Sequence, residues 1–279
     1  MKKILIVIGL LLAVIYLFYS FKSWYNSDYF RVVFFDVGQG DSALLITPGG
    51  ETILIDGGPD KSVLRELGHA MPFWQRQIDL LIITHAHDDH VSGLIEINRR
   101  YHIKKIVYNN LAFDTPALNA LIETFKKNKI SAMRAEAGAI FKFDNNCSLN
   151  ILAATKEIQK DDNDYSIVSL FDCENKKILF TGDAGIAIEN NLLSQNINLQ
   201  ADIIKIAHHG SLTASSLKFL QTVKPQVAVI SVGADNKFGH PSPIVLNRLG
   251  DLTVDIYRTD KLGTLEFLAN YKSINVMVK

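Results

Sequence analysis

The chain opens on an almost uninterrupted apolar run, Ile4 to Phe21, that carries no charge. It predicts a helix just long enough to span a bilayer. The pattern then breaks into short pieces. Phe30–Val37, Ser42–Thr47 and Glu51–Ile55 are apolar segments divided by glycine turns, which predicts an antiparallel meander. A helix is expected over Lys61–Ala70. Ile78–Ile83 reads as a buried strand. A polar turn, Thr84-His85-Ala86-His87-Asp88-Asp89-His90, follows it, and a helix begins near Val91 and runs to about Arg100. Next come a strand at Lys105–Tyr108 and a helix to about Asn128, opened by Thr115 as cap and Pro116 in the first turn.

From Ile130 the pattern is β again: Ser131–Arg134, Ile140–Phe143, Ser148–Ala153, Ser166–Asp172 and Lys177–Thr181, with turns at Asn145-Asn146 and Glu174-Asn175-Lys176. These five make a second sheet's worth of strands. A helix at Ala184–Gln195, strands at Ala201–Ala207 and Pro225–Val232, and a helix from Pro243 to about Leu249 come after them. Val254–Tyr257 and Gly263–Leu268 finish the sheet. Two halves, each with a sheet and helices, predict a four-layer α/β/β/α sandwich. The implied organisation is an N-terminal segment over residues 1–24, a short linker over 25–29 and one domain over 30–279.

Composition changes this picture little. The chain has 279 residues, 48% of them hydrophobic, enough for one large domain plus an appendage. Lys+Arg and Asp+Glu both number 29, so net charge does not advertise nucleic-acid binding, although a local basic patch would not show in the sum. Lys2 and Lys3 precede the apolar run, and Tyr16, Tyr19, Trp24 and Tyr25 cluster at its far end as an interfacial belt would. The positive-inside rule puts the N-terminus in the cytoplasm and the domain outside, with Lys22 weakening the asymmetry. A cleaved signal peptide is the competing reading. The exit sequence lacks a small-x-small site, which favours an uncleaved single-pass anchor. Cys147 and Cys173 read as two small core residues. They can pair only in an oxidising compartment, and spacing does not reveal whether they do.

The chemistry concentrates in the turn after Ile83. Three imidazoles and two carboxylates sit at the carboxyl end of a core strand, where open α/β sheets place their sites. Imidazole and carboxylate are ligands of zinc and its neighbours. His85 and His87 can turn toward one ion, and Asp89 and His90 toward a second, while Asp88 falls at a solvated spacer. The alternative is a polar loop with Asp89 as a helix cap. Three histidines within six residues have no ordinary packing role.

His85-x-His87-x-Asp89-His90 resembles the signature of metallo-β-lactamase-fold hydrolases. Asp36-Val37-Gly38-Gln39-Gly40-Asp41 resembles the opening motif of one branch, the C-terminal metallo-hydrolase domain of ComEC-type competence proteins. The resemblance covers about Phe30 to Leu268. It implies that Asp56 orients the histidine loop from behind, with Asp36 in a similar supporting position. It implies that Asp183, in Leu179-Phe180-Thr181-Gly182-Asp183, bridges two ions, and that His209 of His208-His209-Gly210 closes the second ion's shell, leaving His208 either to support a ligand from behind or to face substrate. The third histidine motif of many members is missing. Asp161-Asp162-Asn163-Asp164-Tyr165-Ser166 stands there, so Asp164 or Asn163 would supply an oxygen near the first ion. Gly233 to Pro243 resembles the ComEC-like ending, in which Asn236 and His240 return to the site and His240 binds the scissile phosphate or protonates the leaving group. Ser211 and Ser215 would start the next helix as caps or phosphate donors.

The implied activity is two-metal hydrolysis with Asp89, Asp183, His208 and His240 as the catalytic set. Zn2+ is the expected metal and Mn2+ the alternative. The leading substrate is a phosphodiester, with DNA as the candidate; a cell-envelope phosphorylcholine ester is next. A lactam, lactone or thioester ranks lower. A non-enzymatic partner module of a separate DNA-uptake channel protein is the remaining class. Only one span is visible here, so the expectation is a stand-alone, membrane-anchored relative.

Overall fold

The structure is a computed structural model that describes residues 2–25, 29–109, 116–144, 146–155 and 162–278, with side chains from 20 to 25 and at 116 and 117 not described. The expected roles of Thr115 as cap, Asn145 in a turn, Asp161 in the acidic loop and most of the linker fall outside the described residues, as do the side chains of Trp24 and Tyr25.

The helix Lys2–Tyr25 spans 24 residues. None of its first 18 residues is buried, and their mean hydropathy is 2.2, so it is long and apolar enough to cross a membrane. The rest forms two sheets packed face to face. The first runs, in spatial order, Ile274–Val278, Leu265–Ala269, Phe30–Phe34, Ala43–Ile46, Thr52–Ile55, Leu80–Ile83, Lys105–Tyr108 and Ser131–Arg134. The second runs Asp255–Arg258, Val227–Ile230, Ile203–Lys205, Lys176–Phe180, Val168–Cys173, Ser148–Ala153 and Ile140–Lys142.

Both faces of each sheet are covered, which is why the strands read as continuous apolar runs. Phe30, Phe34, Phe171, Phe180 and Phe267 fill the space between the sheets. Val33, Leu44, Leu54, Leu81 and Ile106 pack outward against helices Ser62–Ala70, Leu94–Arg100 and Pro116–Lys127. Leu179, Ile204 and Ala228 pack outward against Ile186–Ser194, Leu217–Val223 and Pro243–Asp251. The four layers are therefore the expected ones.

Each sheet changes from antiparallel to parallel pairing part-way across. In the first the change falls between Ala43–Ile46/Thr52–Ile55 and Thr52–Ile55/Leu80–Ile83. In the second it falls between Val168–Cys173/Lys176–Phe180 and Lys176–Phe180/Ile203–Lys205. The carboxyl ends at these changes face one another across the sandwich, and the polar loops lie there.

Several expectations need correction. Ile78–Ile83 is not one strand. Gln77–Ile78 pairs with His102–Ile103 in a small separate sheet, and Leu80–Ile83 joins the large one. Asp79 divides them, because its carboxylate accepts bonds from Thr52 N at 2.9 Å and Lys104 Nζ at 2.6 Å. Ser131–Arg134 belongs to the first sheet, parallel to Lys105–Tyr108, since helix Pro116–Lys127 makes a crossover between them. The last two expected strands part company: Asp255–Arg258 edges the second sheet and Leu265–Ala269 pairs with Phe30–Phe34 in the first. A further strand, Ile274–Val278, pairs with Leu265–Ala269. Ser216, not Ser211 or Ser215, caps Leu217–Val223. Cys147 and Cys173 are not a pair of separate core thiols. They form a buried disulfide across Ser148–Ala153 and Val168–Cys173, with Cα atoms 4.1 Å apart.

Candidate metal centre

The histidine loop is held from below by Asp56. This residue ends Thr52–Ile55, adopts a left-handed backbone (φ 58°) and is fully buried. Its carboxylate accepts bonds from Thr84 N at 2.8 Å, Thr84 Oγ1 at 2.7 Å and His90 Nδ1 at 2.8 Å. Burial pushes Asp56 above the usual carboxylate range, against the opposing pull of His90 and Thr84. Thr84 Oγ1, having given its proton to Asp56, accepts from His85 Nδ1 at 3.1 Å. A glycine lets the Asp36–Asp41 turn close on this loop: a Cβ on Gly40 would overlap the Asp89 carbonyl, which accepts from Asp41 N at 3.2 Å.

The second sheet supplies the other wall. Asp183 follows Lys176–Phe180, and its backbone N donates to Ser166 Oγ at 3.0 Å. His209 follows Ile203–Lys205 and donates from Nδ1 to the Ser231 carbonyl at 2.8 Å. These second partners occupy Nδ1 of each ring and turn Nε2 of His85, His90 and His209 toward the cluster. All three converge on Asp183 Oδ2, at 4.0, 3.4 and 3.5 Å. Asp89 Oδ2 lies 3.2 Å from His209 Nε2 and 3.9 Å from His90 Nε2. Nε2 of His85, Nε2 of His90 and Oδ1 of Asp183 are buried without a well-formed hydrogen bond. Orphaned buried donors and acceptors of this kind call for a missing partner. The set of imidazole and carboxylate fits a divalent ion, and Asp89, His90, Asp183 and His209 present their ligand atoms within 4.8 Å of one another. His87 stands beside them with its ring 4.6 Å from that of His85.

The charges are arranged to keep this set in order. Burial lowers His85 well below the ordinary imidazole value, with His90 adding to it. Burial also works against protonation of His90 and His209, but Asp183 leads the carboxylates that hold both above it. Burial works to raise Asp183; His209, His90 and Lys205 nevertheless hold it well below the carboxylate range.

Lys205 and Asp41 were not among the expected site residues. Lys205 is buried, pairs with Asp41, donates to the Gly182 carbonyl at 3.1 Å and lies 3.6 Å from Asp183 Oδ1. Asp41 Oδ1 is 3.5 Å from His209 Nδ1. Burial would lower Lys205, yet Asp41 and Asp183 raise it, so it stays a cation. The signal was a lysine inside Ile203-Ile204-Lys205-Ile206, since a buried charge needs a partner.

Four expected positions lie elsewhere in the geometry. Asp36 accepts from Gly38 N at 3.2 Å and stabilises its own turn; Asp41 reaches the cluster instead. Asp164 accepts from Gly185 N at 3.2 Å, because its short 3-10 turn aims it at the start of Ile186–Ser194, and Ser166 is the residue that approaches His85, at 3.4 Å. Asn236 spends its amide on its own loop. Nδ2 donates to Gly233 O and His240 O, and Oδ1 accepts from Phe238 N and His240 N, all within 3.2 Å. Ser211 is buried and hydrogen-bonds Thr213 Oγ1 at 3.0 Å, which in turn contacts His208 Nδ1 at 3.3 Å. His208 and His240 stand at the mouth with rings 5.7 Å apart, and burial, then His208, lowers His240.

Residues 36–125 match the model of the metallo-beta-lactamase superfamily, a stretch that holds Asp56 and the whole histidine loop. Those residues carry a metallo-beta-lactamase domain. ComE operon protein 3 of Bacillus subtilis is similar over 250 residues at 27% identity, 83% of this chain and 32% of that protein. Recombination protein 2 of Haemophilus influenzae is similar over 219 residues at 30% identity, 77% of this chain and 26% of that protein. The chain therefore spans a third or less of these relatives. Among solved structures, the metallo-beta-lactamase fold protein YhfI from Bacillus subtilis superposes with a TM-score of 0.54 at 12% identity, over 88% of this chain and 99% of its own. That is a likeness of fold. The candidate metal site draws on both sheets: the histidine loop from one, and Asp183, Lys205 and His209 from the other.

Proposed function

We propose that the chain is a membrane-anchored, binuclear metal-dependent phosphodiesterase whose domain lies outside the cytoplasm. The observation that carries the hydrolase reading is the convergence of three imidazoles, each held at Nδ1, on Asp183, with Asp89 beside them. His85 and His87 would hold one ion, Asp89, His90 and His209 the other, and Asp183 both. Two such ions, zinc or manganese, supply Lewis acidity and a nucleophilic water at neutral pH. Asp56, Thr84 and Ser231 hold the imidazoles at Nδ1, which leaves Nε2 facing the cluster. Lys205 offsets the charge of Asp41 and Asp183, so that a cluster of carboxylates can stay ionised while buried. His208 and His240 offer imidazole N–H groups at the mouth, where charge on a phosphoryl or leaving oxygen would develop.

The phosphodiester assignment rests on the kinship with competence proteins, and DNA is the leading polymer. The helix Lys2–Tyr25 supports an anchor, and the Cys147–Cys173 disulfide supports an oxidising compartment beyond the membrane. A competence role beside a separate channel protein follows from the same kinship. The test is turnover of bis-p-nitrophenyl phosphate and linear single-stranded DNA by the full chain in detergent, with and without chelator. Chelator-sensitive cleavage of both is expected. Turnover of a lactam or thioester with none of either phosphodiester would overturn the reading.

A further inference from the structure

Aromatic rings form a continuous row out of the metal centre. His85 and His90 are 4.2 Å apart, His90 and His209 5.8 Å, His209 and His208 6.2 Å, and His208 and His240 5.7 Å. The row ends on Phe238, which stacks on His240 at 5.7 Å with the planes only 24° apart. A single exposed phenylalanine is ordinary. This one differs in two ways. It is 69% exposed while its other face is braced by a ring next to the catalytic cluster. The backbone of its loop is also pinned by the four bonds of Asn236, which limits what the loop must give up on binding.

The shape of this surface selects its guest. Among the described residues Phe238 pairs with no ring other than His240. One open face is a platform for a planar group. A quaternary ammonium such as choline is held by several aromatic walls. A planar group joined to a phosphodiester is a nucleobase. We propose that the exposed face of Phe238 is a stacking subsite for the nucleobase flanking the scissile phosphodiester, which makes Phe238 a specificity-determining residue. This rests on the phosphodiesterase reading above. Every base has a π-face, so the subsite selects unpaired over paired strands and is indifferent to sequence.

The test compares two labelled oligomers of equal length and charge, single-stranded oligothymidylate and its abasic counterpart, by fluorescence anisotropy with the full chain in detergent at fixed salt. Phosphate contacts are common to both and cancel in the ratio. The wild type should bind the base-bearing strand about tenfold more tightly, near the lower end of what one stacked base contributes. F238A should bring the ratio close to one without changing abasic binding, and F238W should restore it. Equal binding of both strands by the wild type, or an unchanged ratio in F238A, would overturn the subsite. Displacement of the strand by phosphorylcholine in the wild type but not in F238A would overturn the choice of guest. Failure of the phosphodiesterase reading shows separately, as no chelator-sensitive cleavage of either strand.

Discussion

The two halves of the candidate metal centre are built differently. The first sheet delivers its part in one turn of chain: Thr84, His85, His87, Asp89 and His90 lie within seven residues, and Asp56 locks them from one strand away. The second sheet delivers its part piecemeal. Asp183, Lys205, His209 and His240 come from the ends of three different strands and the loops after them, and each depends on a different neighbour: Ser166, Asp41, Ser231 and Asn236. A local motif can be specified by spacing. An assembled one needs the fold to be right first, so it is the more fragile half and the better place to test the account.

The largest effect belongs to the residue on which both halves meet. Asp183→Asn keeps the shape and removes the charge that the three imidazoles face. Phosphodiesterase kcat should fall by at least about a thousandfold, and chelation of the wild type should have the same effect, since the proposed reaction would draw its Lewis acidity and nucleophile from the ions. Steady-state assays on the full chain check both. Full activity in the variant would break the two-ion mechanism.

The next effects separate the halves by stability. Reducing the Cys147–Cys173 bond, or replacing both by Ser, opens a loop of 26 residues in the second sheet and should cost about 3 kcal/mol in chemical denaturation. Lys205→Met strands Asp41 beside Asp183, and should also cost about 3 kcal/mol, with partial recovery in the double variant Asp41→Asn/Lys205→Met. A recovery that fails would mean that Lys205 acts through packing and not through charge. In the first half, Thr84→Val removes two bonds to Asp56 and His85 but leaves the Thr84 N–H, and should cost about 1 kcal/mol.

The smallest effect is a pH dependence. Asp60 accepts from Ser62 N at 2.8 Å at the start of Ser62–Ala70, and Ser62, through its side chain first and its backbone N–H second, holds the Asp60 carboxyl below the usual range. A depressed folded value contributes stability above the unfolded value of 3.8, which is lost as pH falls through the folded one. Asp60 is mostly exposed, so Asp60→Asn should flatten the acid limb of the stability curve by only a few tenths of a kcal/mol.

Legibility followed the same division. His85-x-His87-x-Asp89-His90 was readable because its ligands share one turn and have no packing role to mimic. The helices and most strands were readable because both sheet faces are buried and the runs are long. Asp41 and Lys205 went unread because their pairing joins the end of the first turn to the last residue of a strand in the other sheet, although a lysine among isoleucines signalled it. Asn236 was read as reaching substrate, whereas its amide is used within its own loop. The strand Ile274–Val278 carried the right alternation at Ile274, Val276 and Val278, and its place on the first sheet is decided by pairing with Leu265–Ala269. The disulfide was invisible for the same reason: only the pairing of Ser148–Ala153 with Val168–Cys173 brings Cys147 to Cys173.

In the proposed mechanism Asp183 completes a two-ion site begun by the histidine loop. Metal content of the purified full chain, measured by mass spectrometry beside the Asp183→Asn variant, tests it most directly. Two equivalents of zinc or manganese per wild-type chain are expected, and no more than one in the variant. A wild type that retains no metal after exposure to both ions, or a variant that retains two, would contradict it.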